Sequence, residues 1–357
     1  MAIHRLTGFE GCDDYIECLA ILNGYEYYNS YGVGSYLSTG GYLDGCCIRL
    51  RNTHVYKDRG IRILSLLPAS LVGKTVAVGG HYFTDKVGYT VSNYGNGSIF
   101  AFHGPDIRIY NDGGDLIVHR GTTNIATFEG GGFGTGVWHY IEVLLFSDSS
   151  VGTITIRLDG QDIYSKTGLN TGGQDVVGIR LSSSMGTTDI SAYYDNLYFA
   201  DDLQGVLQML LKRPNGDYDA DDFTCSSGTD RYALIDGNFD GDSSYIESGT
   251  VGHTAVFDYE DISENGKIAA VQVNTVAKAD ASGPRTIQHV YVQDSVEYLG
   301  NGGVDSSEDD GFELTLSYPG QEALHPAYFE VLNTQPDGSE WNIADFNDMK
   351  IGVVVAA

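Results

Sequence analysis

The sequence predicts an all-β protein built as a jelly-roll sandwich followed by a second β-sandwich-like domain. Three observations carry this. First, Ile154, Ile156 and Leu158 alternate with Thr155, Arg157 and Asp159, the period of a strand with one face in a core and one in water. Asp159-Gly160 then supplies two residues that tolerate φ > 0, so the chain turns back as a tight hairpin into Gln161-Asp162-Ile163-Tyr164. Second, short apolar runs separated by glycine turns recur along the chain, with no sustained helical periodicity. Third, the composition agrees: 47 glycines, 25 tyrosines and only 7 prolines in 357 residues, with 42% hydrophobic residues, enough for real cores and too long for one ordinary sandwich.

In the first half, strands are expected at Cys46–Leu50, Val76–Phe83, Ser98–Phe102, Ile107–Tyr110, Asp115–Arg120, Val137–Val143, Thr153–Leu158 and Tyr194–Phe199. Asn23 to Tyr42, with tyrosines among Gly, Ser and Asn, has no clear period and reads as a long loop plus an edge strand. Gly130 to Gly136 has phosphate-loop-like glycines, but it precedes a strand and lacks a Lys-Ser/Thr pair. A hairpin connection is the expectation there.

The Trp138-His139 strand, the short loop and the strand ending in Asp159-Gly160 resemble the concanavalin A-like jelly roll of laminin-G and legume-lectin type domains. Gly8-Phe9-Glu10-Gly11 and Tyr194-Asp195-Asn196-Leu197-Tyr198-Phe199 stand where that family has its first and last strands. The resemblance implies a sugar hydrolase, a lectin or an inert surface module.

Asp201-Asp202-Leu203-Gln204-Gly205 marks a boundary, giving domains at 1–203 and 204–357. The first 203 residues hold 21 acids and 13 bases; the rest hold 27 acids and 7 bases, which together make the net charge of −28. Such a surface repels phosphate backbones and anionic membranes, so nucleic acid is excluded as a partner. No stretch approaches 20 apolar residues, and Met1–Arg5 runs straight into a strand with no apolar signal core. Membrane insertion is therefore not expected, and synthesis in a cytoplasm is. Cys12, Cys18, Cys46, Cys47 and Cys225 lack zinc spacing and form no paired framework, so they read as small buried hydrophobes.

Beyond the boundary, Val206–Leu211 reads as the first strand of domain two and Gly266–Lys278 as a central strand. Arg231–Ile235, Thr286–Val292, Gly311–Tyr318 and Lys350–Val355 read as further strands. Trp341–Asn347 reads as a one-turn helix with Asn342 as N-cap. The order of Val206–Leu211, Pro214-Asn215-Gly216-Asp217, Tyr232-x-x-Ile235-Asp236, Asp240–Ile246, Ala270–Asn274 with Ala277-Lys278, Gly283–Ile287 and Trp341-x-x-x-Asp345-x-Asn347 before Gly352-Val353 resembles a family of tailed-bacteriophage virion structural proteins. In that family a concanavalin A-like domain precedes a β-rich C-terminal domain, and no catalytic residues come with the resemblance. It implies other virion proteins and further copies of the chain as partners, and assembly inside a host cell.

The sharpest local motif runs from Asp236 to Glu247. Asp236, Asn238, Asp240, Asp242 and Glu247, with Gly241 at the sixth place, satisfy the spacing by which alternate oxygen ligands wrap a calcium ion. Against calcium, Ser243 stands where an apolar residue is usual, and a solvated acidic turn has the same composition. Asp217 to Asp222 is a second acidic run, read as solvated. Glycoside hydrolysis needs two carboxylates facing a cleft. Glu10, Asp13, Asp14 and Glu17 come nearest, at the wrong spacing and away from a central strand. Asp195-Asn196 reads as a structural turn before the last strand, Trp138 as core, and His139 as a hydrogen-bonded structural residue. The tyrosines of 25–42 suit either sugar stacking or a subunit interface.

The expectation is therefore a non-enzymatic virion structural protein, a capsid decoration or a tail fibre or appendage component, that binds host surface glycans through its first domain. The alternatives are a carbohydrate-active enzyme (glucanase or lyase) on the same fold and a free lectin.

Overall fold

The computed structural model describes residues 2–7, 24–27, 34–38, 42, 47–52, 62–67, 69, 71–85, 98–182, 190–237, 243–277, 286–300, 304–305 and 327–356. They fall into two compact units, Met1–Met209 and Leu210–Ala357.

In chain order the strands of the first unit are β1 (Ile3–Thr7), β2 (Gly24–Tyr27), β3 (Gly34–Ser38), β4 (Cys47–Asn52) and β5 (Arg62–Leu66). Then come β6 (Thr75–Thr84), β7 (Phe100–His103), β8 (Ile107–Asn111), β9 (Leu116–Arg120) and β10 (Thr123–Phe128). The last five are β11 (His139–Phe146), β12 (Gly152–Leu158), β13 (Gln161–Leu169), β14 (Gly178–Ser182) and β15 (Ile190–Ala200). Among the described residues they form two antiparallel sheets. One runs β13-β12-β11-β6-β15-β4-β3, with β1 also on β15; the other runs β10-β9-β8-β7-β14-β5-β2. This is a concanavalin A-like jelly-roll sandwich. Its two layers are tied by Tyr194, fully buried, whose hydroxyl lies 2.8 Å from both the Ile99 and the Ser182 carbonyl oxygens.

The hairpin read from the sequence is present. Asp159 and Gly160 have φ of 51° and 80°, the pair of left-handed residues a two-residue turn requires. Three expectations are corrected. The stretch 23–42 contributes two edge strands, β2 and β3, one to each sheet. Gly130 to Gly136 does not close a hairpin: it carries the chain from β10 in one sheet to β11 in the other. Val206–Leu211 is not a strand, because the amides of this region are taken by side chains rather than by a ladder. Gln204 and Gly205 donate to Glu142, and Met209 donates to the Asn196 side chain. Residues 203–209 are thus a strap over the outer face of the larger sheet. Gly8–Gly11, Cys12, Cys18 and Cys46 lie outside the described residues; Cys47 is fully buried in β4.

The second unit continues with β16 (Pro214–Asp219), β17 (Thr224–Cys225), β18 (Ile246–Glu247), β19 (Thr254–Tyr259), β20 (Val271–Val276) and β21 (Thr286–Gln293). It ends with β22 (Val296–Leu299), β23 (Val304–Asp305), β24 (Ala327–Leu332), the helix α1 (Ile343–Asp348) and β25 (Lys350–Ala356). Among the described residues the main sheet runs β16-β19-β25-β21-β22, with β23 on β21, and β20 pairs with β24 alone. Gly266–Lys278 is therefore not a central strand. Only Val273 of β20 is buried, while Asn274 and Val276 face water, the pattern of a covering strand buried on one side.

An apolar cluster of Val273, Tyr291, Trp341, Phe346, Met349 and Ile351 joins this small sheet and α1 to the main one. A buried polar network sits beside it. His289 bridges Thr275 (2.9 Å) and Glu330 (3.2 Å), and Tyr291 donates to Glu330 at 2.7 Å. Helix α1 is capped as the sequence indicates, the Asn342 side chain accepting from the Asp345 amide. Arg231–Ile235 is corrected from strand to a 3-10 turn over Tyr232–Leu234, because the Asp217 carboxylate accepts from the amides of both Arg231 and Tyr232. Gly311–Tyr318 lies outside the described residues.

Candidate functional site: an aromatic row on the outer sheet face

Alternation along β6 sends Tyr82 into the sandwich, where it meets Tyr194, and leaves His81 and Phe83 on the opposite, outer face. Register then builds a row across four strands. Arg49 of β4 pairs with Tyr193 of β15, and Tyr193 pairs with Phe83 of β6. Trp138 stands one place before His139, the partner of Tyr82, and so reaches Phe83. Ring centroids lie 5.6 Å apart for Phe83–Trp138, 5.2 Å for Phe83–Tyr193 and 6.4 Å for Trp138–Tyr193. Arg49 stands over the Tyr193 ring, its guanidinium carbon 5.3 Å from the centroid. All four side chains are half-buried.

The next row inward is His81, Tyr140 and Asp195, and it is buried. Tyr42 closes over it, its ring stacked on His81 at 3.6 Å and edge-on to Trp138 at 6.4 Å. The Asp195 carboxylate accepts from the amides of Tyr42 (2.9 Å) and Asn196 (2.7 Å). Asn196, with φ of 50°, sits in a bulge of β15 rather than in a turn before it, which corrects the sequence reading. Its side-chain amide lies 3.3 Å from His81 Nδ1.

Accepting that bond requires a neutral imidazole with its proton on Nε2. Burial pushes His81 down to about 4, against a smaller upward pull from Asp159. Burial also lowers His4, His103 and His119. The sign of the linkage follows. As pH falls through 6.5 the unfolded chain takes protons that folded His81 refuses until about pH 4, so the stability present above 6.5 is lost across that window. Between pH 6.5 and 5 we expect a loss of about 1 kcal/mol from His81 after allowing for solvent screening. Urea midpoints measured over this range should slope less in His81→Phe; an unchanged slope would refute the assignment.

One row further in, Glu142 is fully buried and accepts from the Tyr198 hydroxyl (2.5 Å) and from the Gln204 (3.1 Å) and Gly205 (2.8 Å) amides of the strap. Desolvation first, and Glu142 second, hold the Tyr198 hydroxyl far above its ordinary range, so it remains a donor. Both described carboxylates on these inner rows, Asp195 and Glu142, are shielded from solvent and held by main-chain amides. Glu142 uses Oε1 for all three of its bonds, while its buried Oε2 has no hydrogen-bond partner among the described residues.

The residues singled out in the sequence are placed as follows. Trp138 is not core: it stands on the outer face because Tyr140, two residues on, faces outward beside His81. His139 is bonded through Nδ1 to Asp159 at 2.9 Å, and Asp159 also accepts from the Tyr140 amide, clamping the hairpin turn to β11. Of the calcium pattern, Asn238, Asp240 and Asp242 lie outside the described residues. The Asp236 carbonyl accepts from Arg213, and Glu247 lies on β18. Among the described residues no group of three or more His, Cys, Asp or Glu side chains is placed to hold a metal. Glu10, Asp13, Asp14 and Glu17 also lie outside them. Arg49, Phe83 and Tyr193 were not singled out from the sequence.

No protein-family model matches the chain, and no curated protein does. Solved structures do. A cellulose-induced protein, Cip1, is 14% identical with a TM-score of 0.43, over 56% of this chain and 99% of that one. A conserved carbohydrate esterase from the Shiga toxin-encoding bacteriophage phi24B is 14% identical with a TM-score of 0.35, over 56% and 97%. Lectin I from Ulex europaeus, solved with the methyl glycoside of α-L-fucose, is 10% identical with a TM-score of 0.31, over 49% and 96%. These are likenesses of fold, and no residue role is carried over from them.

Proposed function

We propose that this chain is a non-enzymatic virion structural protein, a capsid decoration or a tail fibre or appendage component, whose first unit binds host surface glycans. The observation that carries the binding reading is the half-buried row of Trp138, Phe83 and Tyr193, joined by Tyr42 at the Trp138 side and by Arg49 at the Tyr193 side. Sugar rings present apolar C–H faces edged by hydroxyls. The rings are tilted or edge-to-face, at 46° for Phe83–Trp138, 84° for Phe83–Tyr193 and 70° for Trp138–Tyr193. A sugar therefore stacks on one ring face, that of Trp138, and meets the edges of its neighbours, with polar groups at the margin for its hydroxyls. The non-enzymatic part is supported by Asp195, buried and held by the Tyr42 and Asn196 amides; Glu142 is held by amides through Oε1 alone. The virion part rests on the sequence resemblance of the second half, which would anchor the first unit to the particle or join copies of the chain. On this reading the protein is made in the host cytoplasm and ends in the virion, with other virion proteins as partners.

The test is an array of bacterial surface polysaccharides probed with the full chain and with Trp138→Ala. The wild-type chain is expected to bind a subset, and the variant to bind about tenfold more weakly with its unfolding midpoint nearly unchanged, as one lost stacking partner implies. A blank wild-type array, or equal binding by the variant, would sink the binding reading. Release of reducing ends or acyl groups from a bound glycan would sink the non-enzymatic one.

A further inference from the structure

Resting on the reading of the aromatic row as a glycan platform, we infer that its ligand carries a carboxylate, a uronic-acid sugar, and that Arg49 receives it. Arg49 is half-buried on the β4 side of the row, where the edge strand β3 pairs with it at Tyr36, in a chain where acids outnumber bases 48 to 20. In such a chain an arginine this close to a sheet face has many carboxylates from which to take a partner. Yet among the described residues no carboxylate lies within ion-pair distance of it. Its Nε and Nη2 both donate to the Ser191 hydroxyl, at 3.2 and 3.0 Å. Asp85, a carboxylate on the same face, accepts instead from the Ser191 amide. Asp195 is held by the amides of Tyr42 and Asn196.

The consequence is a guanidinium held in orientation with no ion-pair partner among the described residues. The guanidinium stands over the Tyr193 ring, Ser191 takes Nε and one N–H of Nη2, and the Nη1 group with the second N–H of Nη2 remains as an end open to a ligand. That end is the fork that grips a carboxylate through two parallel N–H···O bonds. On this inference a pyranose stacked on Trp138 has its neighbour in the glycan along the row toward Tyr193 and Arg49. A carboxyl group on that neighbour meets the open fork. A neutral hexose leaves the fork to water and gains only the stacking. The negative charge of the chain as a whole opposes an acidic ligand weakly, because charges beyond about 8 Å are screened at physiological salt.

The experiment titrates the full chain with tetragalacturonate and with the same tetramer after carboxyl reduction to galactose. Expected is binding of tetragalacturonate about tenfold tighter than its reduced form, a preference that shrinks in high salt. Arg49→Met, which keeps the aliphatic stem on Tyr193, should equalise the two ligands at the level of the reduced one. Arg49→Lys, which keeps the charge without the fork, should fall between. Trp138→Ala should weaken both ligands together. Equal affinity for the two tetramers in the wild-type chain overturns this inference and, where Trp138→Ala weakens both, leaves the glycan platform standing. A preference that survives Arg49→Met overturns the assignment to Arg49. Binding of neither tetramer overturns the inference, and a blank polysaccharide array besides would remove the platform reading with it.

Discussion

Replacing Gly79 by alanine is expected to destabilise the first unit by about 3 kcal/mol, the upper end of what overpacking a close-packed core costs. A Cβ on Gly79 would intrude on the edge of the Tyr198 ring, 2.8 Å from its Cζ and 3.0 Å from Glu142 Cγ. Neither neighbour can retreat cheaply. Tyr198 is fully buried and its hydroxyl donates to Glu142; Glu142 is fully buried and holds the strap. The glycine is there because the tyrosine ring lies flat across β6, over position 79. Urea denaturation should therefore show the loss in Gly79→Ala and recovery of much of it in a Tyr198→Ala background, where the ring is gone. The coupling in that double-mutant cycle is the expected signature. Additive costs would mean that the strand, and not the ring, rejects the methyl.

The second large effect is expected at Glu142. Glu142→Ala strips the acceptor from three donors at once: the Tyr198 hydroxyl and the Gln204 and Gly205 amides. Unmet buried donors cost about 1–3 kcal/mol each, so a total of about 3 kcal/mol is expected, with the half-buried strap amides partly rehydrated. Glu142→Gln keeps an acceptor oxygen at Oε1, where all three bonds fall, and should cost well under half as much. The decisive comparison is with glycan binding. If Glu142 is a structural acceptor, Glu142→Gln binds glycan as the wild type does at temperatures where it is folded. A chain that folds normally yet loses turnover of a bound glycan would identify Glu142 as a reacting group.

The two glutamate-linked effects also mark where the sequence stops being legible. The hairpin from Gly152 to Leu169 could be read directly, because Asp159-Gly160 and the alternation of Ile154, Ile156 and Leu158 are local signals with one cheap backbone solution. The N-cap at Asn342 is legible for the same reason. The strap is not. Val206–Leu211 has the apolar composition of a strand, and only the capture of its neighbours' amides by Glu142, some sixty residues earlier, removes it from a ladder. Gly130 to Gly136 is equally opaque, since whether a glycine-rich link turns back or crosses to the facing sheet is decided by where the next strand pairs.

The candidate site was half visible. Trp138 and the tyrosines before Gly45 stand out by residue type, but Arg49, Phe83 and Tyr193 do not, because they become neighbours only through the register of β4, β15 and β6. No periodicity along the chain encodes a row that runs across it. The bulge at Asp195-Asn196 shifts that register between Asp195 and Tyr198, which sets Tyr198 opposite Gly79 and beside Glu142.

The chain has two tryptophans, and they are suited to a direct test of the platform. Trp341 is buried in the second unit with its indole N–H donating to the Leu332 carbonyl, whereas Trp138 is half-buried on the β11 side of the row. Collisional quenching by acrylamide therefore reports mainly Trp138. In a titration of the full chain with the polysaccharide fragment that the array ranks first, the account predicts a blue shift and protection from quenching that saturate with binding and are absent in Trp138→Ala. Saturable binding that leaves the quenching of Trp138 unchanged would place the ligand elsewhere and contradict the account.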